Sequence, residues 1–125
     1  MVTWKFILFP FARAYGLAIR IRNLLFNSGI LREKEFQIPV IGVGNLVVGG
    51  AGKTPFTEYL VRLLQDNYKV ATLSRGYGRS TTGFRLVDQF SDHEDVGDEP
   101  LQYSRKFGNK ITVSVDENRR NGIRF

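Results

Sequence analysis

The sequence predicts an α/β fold, a parallel sheet flanked by helices and preceded by an amphipathic helix, with the sheet left incomplete at residue 125. Three observations carry this. Short β-branched runs alternate with stretches whose apolar residues recur at helical spacing, the pattern of strand–helix–strand units. A glycine-rich loop joins the first such run to the first helix of the series. The third run leads into a further helical stretch, so the chain is expected to be part of a longer protein.

Residues 3–30 read as an amphipathic helix interrupted near Pro10, with Leu17, Ile21, Leu24 and Leu25 on one face and Arg13, Arg20 and Arg22 toward the other. Trp4, Phe6, Phe9, Phe11, Tyr15 and Phe26 make it unusually aromatic, and Gly29 ends it. The same composition suits packing on a domain core and seating at a membrane interface. Residues 1–30 form one unit and 31–125 a second. In the second, Ile38-Pro39-Val40-Ile41-Gly42-Val43 is a short apolar run expected to be a buried strand. Residues 54–65 read as a helix, with Phe56, Tyr59, Leu60, Leu63 and Leu64 on one face and Pro55 in the tolerant first turn. Residues 69–73 are a second strand, 80–95 a polar surface excursion, 99–107 a helix and 110–115 a third strand. Residues 116–125 begin another helix.

Charge and composition narrow the partners. The chain has no cysteine, which rules out disulfides and thiolate metal sites. The net charge is +6. Lys5, Arg13, Arg20, Arg22 and Arg32 lie in the first 32 residues, which contain no acid. A local anionic partner is therefore expected. The longest uncharged stretch near the N-terminus, Phe6 to Ala12, is far short of the roughly 20 residues a membrane span needs. Pro10, Arg13 and the lack of a small-residue cleavage pattern argue against a secretory signal.

The chemistry-bearing segment is Val47-Val48-Gly49-Gly50-Ala51-Gly52-Lys53-Thr54, between a predicted strand and a predicted helix. That is the setting of a P-loop, and it makes the domain P-loop NTPase-like. Glycines let successive backbone N–H groups turn inward onto phosphate oxygens, and the helix N-terminus adds partial positive charge. Gly49, Gly50, Ala51, Gly52, Lys53 and Thr54 are thus the candidate nucleotide-binding residues. Lys53 would reach the β- and γ-phosphates, and the Thr54 hydroxyl would ligate Mg²⁺. The pattern departs from the usual one in having Val47 where the first glycine stands.

A second constellation, Val96-Gly97-Asp98-Glu99-Pro100, opens the next helix. An acid there could be a general base near the γ-phosphate or simply the helix N-cap, and spacing alone favours the cap. Arg75, Arg79, Arg119 and Arg120 offer further anion contacts, Arg75 foremost because it directly follows a strand. His93 is given no role.

Taken together, these segments resemble the tetraacyldisaccharide 4′-kinase family of lipid A biosynthesis. The matching pieces are Pro39 to Leu46, Gly49 to Pro55, Ser74-Arg75-Gly76-Tyr77-Gly78 and Gly97-Asp98-Glu99-Pro100. Leu8-Phe9-Pro10 and Tyr15-Gly16 resemble the family's leading helix. Val47 is similar to the family's own variant of the loop. The resemblance implies transfer of the γ-phosphate of ATP, with Mg²⁺, to the 4′-hydroxyl of a tetraacyldisaccharide 1-phosphate. It implies a peripheral position at the cytoplasmic face of the bacterial inner membrane. It implies that Asp98 is the catalytic base, acting with Lys53, and that Arg75, Tyr77, Arg119 and Asn45 are on the substrate side. The family's downstream Asp-Asp motif, its histidine partner to the base and its C-terminal lobe are not found in these residues. The chain alone is therefore expected to bind nucleotide weakly and not to turn over. The sequence sets no oligomeric state. Two other readings remain at this stage: a GTPase-like metallochaperone, and a basic nucleic-acid-binding module. The second lacks a recognised reading motif, and no nucleic-acid partner is expected.

Overall fold

The structure, a computed structural model, describes residues 3–45, 50 and 52–125. Two compact units divide the chain, Met1–Gln37 and Ile38–Phe125.

The first unit is built on helix α1, Thr3–Asn27. The helix passes through Pro10 without a break, where the sequence suggested an interruption. A proline removes one N–H and crowds the preceding turn, and here the rest of a 25-residue helix carries it. Along α1, the Arg13 guanidinium lies 4.9 Å from the Phe9 ring centroid and that of Arg22 lies 5.3 Å from Phe26. Both are neighbours four residues apart, the spacing that stacks side chains on one helix face. Gly29 ends the turn in the left-handed region at φ 74°, which a residue without Cβ adopts freely.

The second unit holds α2 (Lys53–Leu64), β1 (Val70–Ser74), β2 (Arg85–Val87), α3 (His93–Val96), α4 (Asp98–Phe107), β3 (Ile111–Val115) and α5 (Arg119–Gly122). The sheet order is β1-β3-β2. β1 pairs in parallel with β3, Val70 opposite Ile111 through Ser74 opposite Val115. β2 pairs antiparallel with β3, Val87 opposite Val113. The sheet is thus mixed, where a parallel one was expected. The additional strand comes from the polar excursion at 80–95, in whose last residues α3 begins.

The core sits where α4 covers the central strand. Leu101, Tyr103 and Phe107 of α4 are buried with Ile111, Val113 and Val115 of β3, and Val61, Val87 and Val96 complete the cluster. Fully burying one such aliphatic side chain contributes about 1.5–3 kcal/mol. Gly122 brings α5 onto β1 so closely that a Cβ there would lie 2.7 Å from a Leu73 methyl.

The run Ile38–Val43, expected as a buried strand, forms none. Ile38, Val40 and Ile41 are more than half exposed. β-branched composition fits a segment for a pleated surface, but a strand exists only where a neighbour supplies its ladder. Here the sheet stops at β1, whose outer edge has no partner among the described residues. The parallel crossover unit observed is therefore β1–α4–β3, not one running through α2.

Candidate active site

Two helix starts and two strand ends converge. Gly52, at φ 75° and ψ 20°, caps α2 without any side-chain bond to the first-turn amides. Those N–H groups carry the partial positive charge of a helix N-terminus. Lys53 is the first residue of α2, and its ammonium donates to Asn45 Oδ1 at 3.0 Å. Gly50 and Gly52 lie within the described residues, whereas Gly49 and Ala51, two of the expected phosphate contacts, lie outside them.

Thr54, one residue on, donates from its hydroxyl to Glu99 Oε1 at 3.1 Å. That bond spans 45 residues and joins the first turn of α2 to the first turn of α4. The same Glu99 oxygen accepts the Tyr103 hydroxyl at 2.7 Å. Burial and the adjacent Glu99 carboxylate push the Tyr103 phenol up to about 12. One turn further along both helices, Glu58 of α2 accepts from Gln102 at 2.8 Å and from the Lys106 ammonium of α4. Arg62 stands 3.6 Å away. Glu58 is only 6% exposed, yet the Lys106 contact outweighs desolvation and holds its carboxyl below the usual range.

Asp98 is the first residue of α4, and Gly97, not Asp98, occupies the N-cap. The plain-cap reading of Asp98 therefore does not hold. Its carboxylate is exposed and takes no protein hydrogen bond among the described residues, so it is available to a ligand. Gly97 stands at φ 91°, and a Cβ on it would lie 3.0 Å from the Tyr77 carbonyl oxygen. A Cβ on Gly76, at φ 67°, would lie 2.8 Å from the Val96 carbonyl oxygen. The Ser74–Gly78 and Gly97–Pro100 motifs thus touch through backbone, which is why both are glycine-punctuated.

Beyond the ends of β1 and β3, Arg75, Glu117, Asn118, Arg119 and Arg120 line an open cleft of about 470 Å³. Arg75 and Arg119, both expected on the substrate side, are brought together there. Tyr77, a third expected residue, is 99% exposed and does not line the cleft. Arg79 is not free for an anion: its side chain is 4% exposed, and it donates to Gly83 O at 2.9 Å and to the Glu117 carboxylate. Bonds from the Gly83 amide, and Arg79 beside it, hold the Glu117 carboxyl below its ordinary value. Behind the cleft Asp116, 1% exposed, accepts from the Asn118 amide and the Asn121 side chain at 2.8 Å each.

Glu99 is the residue whose place sequence reasoning missed. It stood inside the Gly-Asp-Glu-Pro motif, but no local pattern reveals a partner 45 positions away.

Fold and cluster together define an α/β domain that gathers its polar residues at the carboxyl ends of parallel strands, the region where open α/β sheets bind ligands. The chain belongs to the tetraacyldisaccharide-1-P 4′-kinase family, whose model matches residues 4–125. A tetraacyldisaccharide 4′-kinase of Flavobacterium johnsoniae is 58% identical over 117 residues, 94% of this chain and 34% of that protein. One of Parabacteroides distasonis is 55% identical over 118 residues, 94% of this chain and 32% of that protein. Among solved structures, the "apo" form of LpxK from Aquifex aeolicus in complex with ATP superposes with a TM-score of 0.76 at 40% identity. That match covers 96% of this chain and 39% of the Aquifex chain. The chain spans about a third of the length of its curated relatives.

Proposed function

We propose that the full-length protein is an ATP-dependent kinase that phosphorylates the 4′-hydroxyl of a tetraacyldisaccharide 1-phosphate, a lipid A precursor. The observation that carries this is the Thr54–Glu99 hydrogen bond, which holds the starts of α2 and α4 side by side, in a chain of the kinase family. The relatives' names and the ATP in the Aquifex structure agree with it.

In this reading residues 49–54 form the P-loop. Lys53 turns its ammonium from Asn45 toward the β- and γ-phosphates, and the uncapped amides of α2 receive phosphate oxygens. Asp98, exposed one residue before Glu99, accepts the proton of the attacking hydroxyl and orients it in line. Arg75 and Arg119 hold anionic groups of the substrate in their cleft, and Asn45, beside Lys53, and the exposed Tyr77 make further substrate contacts outside it.

Magnesium fits the donors present. Thr54 Oγ1 spends its proton on Glu99 and so keeps lone pairs for a hard cation, and Glu99 is a second oxygen donor 3.1 Å away. Mg²⁺ commonly takes one or two protein oxygens and completes its shell with phosphate and water. Thr54 and Glu99 would hold it, and when bound it would neutralise charge on the phosphoryl oxygens.

The acceptor's acyl chains place the work at a bilayer. Leu8, Phe9, Phe11, Tyr15 and Leu17 of α1 are exposed, in a helix with four basic residues, Lys5, Arg13, Arg20 and Arg22, and no acid. Among the described residues no helix is long and apolar enough to cross a membrane. We read α1 as a peripheral anchor at the cytoplasmic face of the inner membrane.

The test is a kinase assay on the full-length protein with ATP, Mg²⁺ and a tetraacyldisaccharide 1-phosphate. Asp98→Ala should cost roughly 10²–10⁴-fold in kcat, and Lys53→Ala should also lose orders of magnitude in rate. Near-normal turnover by Asp98→Ala removes it from the base role. Preference for GTP over ATP would favour a metallochaperone-like enzyme instead. Binding to DNA with no response to anionic vesicles would defeat the membrane placement.

A further inference from the structure

Two hydroxyls converge on one carboxylate oxygen, and only one of them belongs to the P-loop. Glu99 Oε1 accepts Thr54 at 3.1 Å and Tyr103 at 2.7 Å. Oε2 takes no protein hydrogen bond among the described residues. Tyr103 lies one turn after Glu99 on α4, is 2% exposed, and is fixed within the core beside Leu101 and Phe107. Its buried phenol thus holds one oxygen of Glu99 and leaves the other without a protein hydrogen bond among the described residues. One turn deeper, Glu58 ties α2 to Gln102 and Lys106 of α4, so the two helices are joined by polar rungs at successive turns.

We propose that Tyr103 is a positioning residue: its hydroxyl, backed by the Glu58 rung, fixes the Glu99 carboxylate so that Thr54 Oγ1 and Glu99 Oε2 together present a hard-oxygen pair to the divalent cation that accompanies the nucleotide. The inference rests on the kinase reading and deepens it. A carboxylate free to rotate about its terminal bonds must lose that freedom when it binds a cation, whereas one held by a buried phenol has already lost it. Outer partners of this kind orient the groups that touch metal, and their removal typically lowers metal affinity by roughly 10–100-fold.

The experiment uses the full-length enzyme and reads equilibrium binding of a fluorescent ATP analogue as Mg²⁺ is titrated, with thermal melting alongside. Tyr103→Phe removes one oxygen and keeps the ring. It should raise the Mg²⁺ midpoint roughly tenfold while leaving analogue binding without Mg²⁺ within about twofold. Glu58→Gln, which keeps the bond to Gln102 but loses the charge facing Lys106, should move the midpoint in the same direction by a smaller factor. It serves as the second readout if Tyr103→Phe folds poorly. A lowered melting temperature with an unchanged Mg²⁺ midpoint in both variants would make the rungs purely structural and overturn the proposal. If wild-type protein itself shows no Mg²⁺-dependent nucleotide binding, the kinase reading fails and the inference with it. If wild type binds and the variants match it, only the inference fails.

Discussion

At Gly97 the backbone stands at φ 91°, and the nearest atom to an added Cβ would be the Tyr77 carbonyl oxygen, 3.0 Å away. Gly97→Ala therefore meets both conformational strain and a close backbone contact. We expect it to destabilise the full-length protein by about 1–3 kcal/mol, measured by urea denaturation, and to lower activity by separating the Arg75 loop from Asp98. Gly83→Ala is the contrast: its φ of 78° is also left-handed, but no atom lies within 4 Å of the added Cβ, so it should lose stability with less effect on turnover. At this scale much of the site was legible. Lys53 and Thr54 stand in a short motif whose setting between strand and helix implies their chemistry, and the Asn45–Lys53 contact spans only eight residues, whereas for Asp98 spacing alone favoured a cap and only the family resemblance implies the base role. Glu99 was not legible as a partner of Thr54, because the contact is made by two helices docking and not by any sequence interval.

Among elements, α2 and α4 are held together by the Glu58–Lys106 pair as well as by apolar contact. The Glu58 carboxyl is held below its ordinary value, so it binds protons less readily folded than unfolded. Its contribution to stability is present above the unfolded value of 4.5 and is lost as pH falls through the lower folded value. Wild type and Glu58→Gln should accordingly differ in denaturation midpoint at pH 7 and converge as the pH is taken from 5 toward 3. A difference that stays constant over that range would refute the assignment. Phe107→Ala, which empties the end of α4 where it meets β3, should cost about 3–5 kcal/mol. The helices were readable from apolar periodicity to within a residue or two at α2 and α4. The strands were less so. β2 is three residues in a polar tract and owes its existence to pairing with β3 and to Val87 entering the core. Ile38–Val43 has strand composition but no ladder. In both cases the deciding term was a neighbour, which composition does not contain.

Over the whole molecule, charge is divided unevenly. Residues 1–32 hold five basic side chains and none of the acids, so the remaining 13 basic side chains stand against all 12 acids. If α1 is the bilayer anchor, replacing Arg13, Arg20 and Arg22 together by alanine should weaken binding to anionic vesicles by about 3 kcal/mol, at about 1 kcal/mol each near the surface. Co-sedimentation with vesicles would show this as a loss on the order of 100-fold. Added salt should weaken wild type more than the triple variant, because it screens the charges the variant lacks.

The outer side of β1 gives the molecule a further property. Along the five residues Val70–Ser74, the amides and carbonyls on the side away from β3 meet no strand among the described residues, in a strand rich in β-formers. Any extended backbone that settles there would be stitched in by main-chain bonds with little regard for its side chains. A short peptide copying Ile38–Val43 would be a natural competitor for that margin. The 125-residue chain, kept concentrated by itself, would be prone to self-association along it.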